Sequence, residues 1–590
     1  MKRSWVPAAG EWTFHIVVAL LVMWPVTFHM TSAFIGWRDS NYYMWLSWRT
    51  GELLSSGDVF SLQIPDVVHP YGVDVLLLDG HLPTLIGGLW NLVAGPFLAF
   101  NLAMVTATLL NIWAGRRLGK LFSRSRVVWA TVGVAFALAP AIALRMPVHF
   151  TMYFAFPAAL LLENAVQVVR GDRPLRPILV GILLFVAYLC SIYQLVFGAI
   201  AYVLVVIVGL GWSRDVARAL GRFAVSGVIA LLFMLPFLIP RLDYESSERA
   251  GGGEPVLLKD SFRASADGLS LFAQPSYATF DLPGSARLRD NFRDDNIHES
   301  TIFPGWILLA GVAGLMVLRT PLRRPILTAF FTMWLLTMGT SLKLDGEFLF
   351  TTRSDSPVPW LPYTALLNFP GLGSLRAANR VSYTLAAVCA LAFALVLGTL
   401  WARRTLVWQR ALLVSGCGVL LLTSLIVPLP ESTLDVAPET RSALEEIANR
   451  AEEGESVLQV PADCDGETLR TVTLQIVHRA PMIGCQASPS AIPFYSSLER
   501  YASSAALANA RCAPGRIGRR ADLPFTSDGL EASDVEALRE QLGVRFIIVN
   551  KDTLRARGPC KRLLESIPVL DRYEKLGEDD TWAVYDTQFS

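Results

Sequence analysis

The chain has 590 residues, of which 53% are hydrophobic and only 17% are charged. Soluble globular proteins carry about 25% charged residues, so this composition indicates a chain that lies largely in lipid. The formal net charge of +1 excludes both the basic excess of a nucleic-acid-binding protein and the acidic excess of a disordered tail.

Eleven apolar stretches have about the 17–25 residues that an α-helix needs to cross a hydrocarbon core about 30 Å thick. The first is longer than the apolar core of a signal peptide, so we predict a retained helix there. The predicted spans are 13–36, 97–115, 127–144, 151–169, 178–194, 195–212, 223–240, 303–318, 326–342, 381–401 and 411–428.

Lys and Arg residues gather in every second loop between these spans, which the positive-inside rule assigns to the cytoplasm. Lys2 and Arg3 precede the first span, so the N-terminus is predicted to be cytoplasmic. Eleven crossings then place the residues after about Val427 outside the cytoplasm. The basic loops contain Arg116, Arg117, Lys120, Arg124, Arg126, Arg170, Arg173, Arg176, Arg214, Arg218, Arg222, Arg319, Arg323, Arg324, Arg403, Arg404 and Arg410.

The alternation of basic and non-basic loops also predicts two places where a long apolar stretch is divided into separate helices. Residues 177–212 form one uncharged stretch between basic loops, so two short helices must fit inside it. Residues 81–115 must contain one crossing, yet Gly95-Pro96 interrupts them. We therefore predict a half-helix or surface helix near 82–93, followed by one span.

The last part of the chain predicts a second domain. Residues 1–428 form the predicted transmembrane domain, and the remaining 429–590 are long enough for an independent one. Residues 456–460 and 545–549 have the pattern of buried strands, and 534–542 that of a helix. The predicted fold class is thus an α-helical polytopic membrane protein with a C-terminal extracytoplasmic α/β domain.

The seven cysteines divide between the two domains. Cys190, Cys389 and Cys417 lie in apolar spans, where a thiol behaves as a small hydrophobic group. The other four lie in the C-terminal domain, and an even number in an oxidising compartment predicts two disulfides with three possible pairings. These four are Cys464, Cys485, Cys512 and Cys560.

Three long outer loops, 37–81, 241–302 and 343–380, carry most of the unusual polar residues, which predicts that a functional site lies there. The first loop opens with Asp39 directly after the first span. Its aromatic residues are typical of side chains that gather at a membrane interface. These are Tyr42, Tyr43, Trp45 and Trp48.

An acid after the first helix, a long first outer loop, about a dozen helices and an outer C-terminal domain together resemble the GT-C superfamily of glycosyltransferases that use polyprenyl-phosphate sugars. Shorter motifs resemble uncharacterised bacterial members of that superfamily. They are Pro70-Tyr71-Gly72, Ala266-Asp267-Gly268-Leu269 with Gln274-Pro275, Glu299 ahead of Pro304-Gly305-Trp306, and the segment from Pro370 to Arg380 before a helix.

The resemblance implies a transferase site at the outer membrane surface. Asp39 suits the general base that such a reaction needs, although many GT-C enzymes carry two adjacent acids where this chain has Asp39-Ser40. Arg376 and Arg380 suit the donor phosphate, because guanidinium groups match phosphate oxygens. The alternative for both arginines is structural: they cap the helix or pair with acids such as Asp267.

Several other polar residues of the same loops are candidates for the site. Asp267, His69 and His81 are candidates for the same site, with an interfacial structural role as the alternative for the two histidines. Asp294 and Asp295 fit a solvated acidic turn, whereas His298 and Glu299, just before a span, are the predicted metal ligands. Carboxylate oxygens favour Mg²⁺ or Mn²⁺.

The resulting prediction is an enzyme of the bacterial cytoplasmic membrane that moves a sugar from a polyprenyl-phosphate donor to an envelope glycan, lipid or protein. Two alternatives are a non-catalytic envelope assembly protein and a lipid or glycan transporter. Transporters place ionisable groups near the bilayer midplane and often have duplicated halves, whereas here the polar residues gather at one face.

Overall fold

The computed structural model describes most of the chain and contains a bundle of long apolar helices followed by a mixed β-sheet. The described residues are 6–36, 39–57, 63–64, 73–74, 80–250, 264–275, 278–280, 284–291, 301–350, 358–369, 372, 375, 377–426, 428–434, 436–462, 473–483, 505–510, 529–556 and 560–588.

The helices before residue 430 are α1 Val6–Val22, α2 Asp39–Ser56, α3 His81–Asn91, α4 Pro96–Phe122, α5 Arg126–Ala137, α6 Pro140–Ala143, α7 Phe150–Tyr153, α8 Phe156–Val169, α9 Pro177–Cys190, α10 Ile192–Leu210, α11 Arg214–Ala250, α12 Ser285–Asn291, α13 Trp306–Val317, α14 Arg323–Thr337, α15 Pro362–Leu367, α16 Ser382–Arg403 and α17 Val407–Leu422. Strands in the same part are β1 Ala33–Ile35, β2 Gln63–Ile64, β3 Val73–Asp74, β4 Lys343–Leu344 and β5 Glu347–Phe348. Short 3₁₀ turns occupy Val26–Phe28, Gly268–Leu271 and Ala378–Val381.

Every predicted span overlaps a described helix, and the prediction of a multi-pass helical membrane protein is confirmed. By length and composition, five of the described helices can cross a membrane, and shorter apolar helices accompany them. The number of crossings stays a prediction. The five long segments are Pro96–Phe122, Phe150–Val169, Ile192–Leu210, Arg214–Pro240 and Ala378–Arg403.

Both predicted breaks are present. Helix α9 ends at Cys190 and α10 begins at Ile192, with the Ser191 hydroxyl accepting a hydrogen bond from the Tyr193 N–H. Helix α3 ends at Asn91 and α4 begins at Pro96, a residue whose missing N–H is tolerated at a helix start. The short helix and the following span are therefore separate elements.

The predicted first span, 13–36, is wrong in its second half. Helix α1 begins at Val6 and ends at Val22, and the chain then leaves the helical conformation around Pro25, which lacks the N–H that a continuing helix needs. Residues 33–35 form strand β1 instead. Asp39 consequently begins a new helix, α2, in a region predicted to be loop.

The interpretation of the α2 aromatics as interfacial is also wrong. Tyr42, Tyr43, Trp45 and Trp48 are all buried. Helix α2 packs closely on α3, where a side chain at Gly87 would have its Cβ only 2.4 Å from the Ser47 hydroxyl oxygen. Burial between protein elements, rather than contact with headgroups, therefore explains these aromatic side chains.

Helix α16 is the centre of the bundle. Most of its residues are buried, and it packs against α4, α5, α8, α13 and α14. Its first turn follows the 3₁₀ turn Ala378–Val381, so the position of that turn is fixed by a largely buried helix.

A five-stranded sheet dominates the last 160 or so residues, in agreement with the predicted strands and helix. Its strands are β7 Ser456–Val460, β8 Met482–Ile483, β9 Val544–Asn550, β10 Glu574–Glu578 and β11 Trp582–Asp586, and β6 Glu431–Thr433 lies outside it. The strand order is β10-β11-β9-β7-β8, with β7 parallel to β8 and β9, and β11 antiparallel to β9 and β10. The helices are α18 Pro438–Arg450, α19 Gln475–His478, α20 Ala505–Asn509, α21 Ala532–Leu542, α22 Lys551–Ala556 and α23 Lys561–Ser566, with a 3₁₀ turn at Ile567–Arg572.

The cysteines follow the predicted division where the structure describes them. Cys190, Cys389 and Cys417 are free and buried, and Cys560 is disulfide-bonded. Cys464, Cys485 and Cys512 lie outside the described residues, so the pairing stays a prediction.

His478, at the end of α19, makes this part of the protein sensitive to acid. Burial lowers the pKa of His478 to about 3 from an ordinary value of 6.5, and its Nδ1 accepts a hydrogen bond from the Ala480 N–H. Above pH 6.5, His478 is unprotonated in both the folded and the unfolded state. Between pH 6.5 and pH 3, only the unfolded state binds a proton at His478, so the free energy of unfolding falls as the pH falls.

We expect the free energy of unfolding of residues 429–590 in the full-length protein to fall by about 2 kcal/mol between pH 7 and pH 5. Thermal unfolding in detergent at the two pH values measures this. His478→Asn keeps an acceptor for the Ala480 N–H but cannot titrate, so most of the pH dependence should disappear. An equal loss of stability in His478→Asn would assign the effect to another group.

Candidate active site

The predicted site residues are only partly within the described structure. Asp39 is half-buried and is the first residue of α2, and Arg380 is half-buried in the turn that precedes α16. That turn is 3₁₀ rather than α-helical, and the α-helix begins only at Ser382. Asp267 and His81 are also described, whereas four predicted residues lie outside the described ranges: Arg376, His69, His298 and Glu299.

A turn between α6 and α7 contacts the neighbourhoods of both Asp39 and Arg380. The hydroxyl of Ser40, next to Asp39, donates a buried hydrogen bond of 2.7 Å to the carbonyl of Pro147. Two residues later, the His149 Nε2 lies 3.3 Å from the Arg380 Nη2. The start of α2 and the start of α16, which are 340 or so residues apart in the chain, are thus joined through one short turn.

Two tyrosines hold the segment that carries Arg380. The guanidinium carbon of Arg380 lies 5.3 Å from the centre of the Tyr193 ring, a cation–π geometry. The Tyr193 hydroxyl accepts a hydrogen bond of 2.9 Å from the Ala377 N–H, and the Tyr363 hydroxyl donates one of 2.6 Å to the Leu375 carbonyl. Side chains from α10 and α15 therefore fix both the backbone and the guanidinium group.

Arg145 adds a second guanidinium group to this region. It is fully buried, and both Arg145 and Arg380 lie within electrostatic range of Tyr383. The two guanidinium groups concentrate positive charge and hydrogen-bond donors, and the His149 Nε2 accepts from one of them. Guanidinium groups in such a setting bind phosphate through paired hydrogen bonds.

Arg145 and His149 are not among the site residues predicted from the sequence. A signal was present: both lie between predicted spans 127–144 and 151–169, in a turn on the side opposite the basic loops. The positive-inside rule does not explain an arginine there, and an ionisable residue without a topological role is a candidate for function.

Gly36 fixes the approach to Asp39. Its φ of +137° disfavours any residue with a side chain, and an added Cβ would lie 2.3 Å from the Ser40 Cβ and 2.8 Å from the Pro147 carbonyl oxygen. The Pro147 carbonyl is backbone that cannot move independently of the turn. Only glycine therefore allows α2 to start against the turn between α6 and α7.

Gly36→Ala is expected to displace the start of α2 and lower the predicted transferase activity by about tenfold or more, because small displacements of reacting groups have effects of that order. Gly57→Ala is the matched control. Gly57 also has a positive φ, +77°, but lies at the other end of α2 with no atom within 4 Å of the added Cβ. Steady-state rates of both variants in the same membranes measure the difference, and equal rates would contradict the role of Gly36.

Asp267 and His81 have well-defined structural contacts. The Asp267 carboxylate accepts hydrogen bonds of 2.8 Å from both the Leu269 and the Gly346 N–H groups, which links residues 267–269 to the turn between β4 and β5. The centre of the His81 ring, at the start of α3, lies 4.7 Å from the centre of the Phe237 ring. Neither residue contacts Arg380 through these contacts.

No group of three or more His, Cys, Asp or Glu residues with the geometry to hold a metal ion occurs among the described residues. The predicted ligands His298 and Glu299 are outside them. The predicted Mg²⁺ or Mn²⁺ requirement therefore stays a prediction.

The chemistry available at this site is proton transfer together with anion binding. Asp39 supplies a half-buried carboxylate, which can accept a proton. Arg145 and Arg380 supply guanidinium donors for an anion at the same end of the bundle, and the His149 Nε2 accepts from Arg380. This combination suits the transfer of a group from a phosphate to a hydroxyl.

The fold of this chain is similar to that of solved membrane-protein structures. No family model matches the chain, and no curated protein matches it. Two solved structures cover almost the whole chain: ArnT from Cupriavidus metallidurans bound to undecaprenyl phosphate, and the same protein in the apo state.

The undecaprenyl-phosphate structure is 12% identical, with a TM-score of 0.52 over 99% of this chain and 98% of ArnT. The apo structure is 13% identical, with a TM-score of 0.51 over 98% of each chain. The apo oligosaccharyltransferase of Archaeoglobus fulgidus matches 100% of this chain and 75% of its own length, at 14% identity and a TM-score of 0.49. The chain has the fold of ArnT, and the resemblance to the GT-C superfamily predicted from the sequence is confirmed at the level of fold.

Proposed function

We propose that this protein is a membrane glycosyltransferase that moves a sugar from a polyprenyl-phosphate donor to a hydroxyl acceptor of the cell envelope. The observation that carries the proposal is the turn between α6 and α7, which contacts the residue after Asp39 on one side and Arg380 on the other. A proton acceptor and a phosphate-binding cluster are thereby brought to one end of the bundle.

In the proposed reaction, the acceptor oxygen attacks the anomeric carbon of the donor sugar. Asp39 removes the hydroxyl proton as the new carbon–oxygen bond forms. The bond between the sugar and the phosphate oxygen breaks, and its electron pair leaves with the polyprenyl phosphate. Arg145 and Arg380 stabilise the charge on that phosphate, and His149 orients Arg380.

The location of the cluster fits a lipid donor. The starts of α2 and α16 and the α6–α7 turn lie at the end of the bundle opposite the basic loops, as the alternation of those loops along the chain requires. A polyprenyl phosphate presents its headgroup at the membrane surface while its hydrocarbon chain stays in lipid. ArnT, which shares the fold, has been solved with undecaprenyl phosphate bound.

We also propose Mg²⁺ or Mn²⁺ as a cofactor held by His298 and Glu299, on the basis of their ligand chemistry. When bound, the metal would supply additional positive charge to the phosphate. Asp39, Arg145 and Arg380 perform the steps described above.

The proposal includes the orientation of the chain. With residues 1–428 as the transmembrane domain and 429–590 outside the cytoplasm, a C-terminal alkaline phosphatase fusion should be active and a C-terminal green fluorescent protein fusion dark. The reverse pattern would change the number of crossings by one and move the proposed site to the cytoplasmic side.

Transfer of radiolabelled sugar from a panel of polyprenyl-phosphate sugars, in membranes containing or lacking the protein, tests the proposed reaction. The proposal expects label to enter a lipid-free or envelope-bound product only when the protein is present. Label that crosses the membrane with its lipid carrier unchanged would indicate a transporter. Absence of both would favour the non-catalytic assembly protein.

A further inference from the structure

Helix α2, which begins with Asp39, is held at its N-terminal side by residues that follow the last membrane helix. Strand β1 pairs antiparallel with β6, so that Ala33 faces Thr433 and Ile35 faces Glu431. The Gly36 N–H donates a hydrogen bond of 3.0 Å to the Pro430 carbonyl, and the Ser432 hydroxyl donates to the Gly36 carbonyl. Residues 33–36 are therefore part of a two-stranded ribbon that residues 430–433 complete.

A second contact reaches the middle of the same helix. The Trp45 indole N–H donates a hydrogen bond of 2.7 Å to the Gln475 side-chain oxygen, and both residues are about 1% exposed. The Gln475 amide donates in turn to the Ala480 carbonyl at 3.1 Å, which orients its oxygen towards Trp45. Gln475 belongs to α19, next to the sheet strand β8.

These two contacts lie on either side of Asp39 in the chain, one ending at Gly36 and the other starting at Trp45. The position of α2 is therefore determined by the C-terminal region as well as by the bundle. Replacing Gln475 leaves the buried Trp45 indole N–H without this acceptor, which favours movement of the helix over retention of its position.

We propose that the C-terminal domain positions the catalytic carboxylate, with Trp45 and Gln475 as the positioning residues. The inference rests on the proposed function for the role of Asp39. A C-terminal domain that only added stability to the protein would need no buried polar contact with the helix that begins at Asp39. The domain is thus a part of the active-site scaffold, although none of its described residues is assigned to the reacting atoms.

The test uses the full-length protein and the variants Trp45→Phe, Gln475→Leu and the double variant. We expect each single variant to lower kcat by about tenfold, with KM for the donor changed less than twofold, because the base is displaced while the phosphate cluster is intact. The double variant should be no worse than Gln475→Leu alone, because Gln475→Leu already removes the contact that Trp45→Phe removes. Hydrogen exchange of the amides in residues 39–56 should become faster in each single variant.

Two control variants separate positioning from general loss of stability. Trp90→Phe removes an indole hydrogen bond to the Thr106 hydroxyl that joins α3 to α4. Thr440→Val removes a hydrogen bond of 2.7 Å to Asp579 within the C-terminal region. Neither should change kcat by more than about twofold or speed exchange in α2, because neither bond reaches α2.

Unchanged kcat in Trp45→Phe and Gln475→Leu, additive losses in the double variant, or an equal loss of kcat in Thr440→Val would each overturn the inference. Wild-type protein that transfers no sugar would overturn the proposed function instead. In that case the exchange measurement still decides whether the C-terminal domain holds α2, since it does not depend on catalysis.

Discussion

Asp39→Asn is expected to lower turnover by roughly 10²–10⁴-fold, the usual contribution of general-base catalysis. Asparagine keeps the size of the side chain and one acceptor oxygen but cannot take the proton of the acceptor hydroxyl. Because the phosphate cluster is unchanged, donor binding should change little. Initial rates of sugar transfer at saturating donor measure the effect.

Glu52→Gln is the matched control for this substitution. Glu52 is a half-buried acid of the same helix, more than three turns beyond Asp39. The same loss of one negative charge there should leave turnover within about twofold. Near-wild-type transfer by Asp39→Asn would show that the base lies elsewhere, with Asp267 or Glu299 as the next candidates.

Arg380→Ala is expected to lower kcat by roughly 10²–10³-fold, which is typical when one donor to a developing anion is removed. Its guanidinium group is held by the Tyr193 ring and by contact with His149, so the substitution removes a preorganised donor rather than a mobile surface charge. Arg380→Lys keeps the charge but loses the planar fork and should recover only part of the activity. Steady-state kinetics with the same donor compare the two variants.

The control for Arg380 is Arg403→Ala. Arg403 ends the helix that follows Arg380, at the opposite end of the bundle, and is exposed. Its loss should not alter kcat, because it lies among the basic loops and away from the site. An equal decrease in both variants would point to an effect on membrane insertion rather than on phosphate binding.

The membrane helices could be predicted from the sequence because lipid requires long uncharged stretches, and the basic loops order them independently. The breaks between helices at Ser191 and at Gly95-Pro96 could be predicted for the same reason, because each stretch is too long for one helix that fits the bilayer thickness. The first helix was placed too far along the chain because apolar residues continue past Pro25, where the backbone already leaves the helix.

The burial of α2 could not be predicted in the same way. Its Trp and Tyr residues suit both a membrane interface and a protein core, and only the tertiary contacts with α3 and α19 decide between them. Asp39 and Arg380 were identified by their positions next to spans. Arg145 and His149 differ from other residues near the spans by lying in a turn opposite the basic loops. The contacts of that turn with the starts of α2 and α16 are tertiary, and sequence spacing does not encode them.

The most direct test of the account compares binding and turnover in one preparation. Purified wild-type, Asp39→Asn and Arg380→Ala proteins are titrated with undecaprenyl phosphate, and their transfer rates are measured with the donor identified in the panel. The account predicts that Asp39→Asn binds the lipid phosphate with wild-type affinity but transfers almost no sugar, whereas Arg380→Ala loses both affinity and transfer. Wild-type affinity in Arg380→Ala together with wild-type transfer in Asp39→Asn would contradict it.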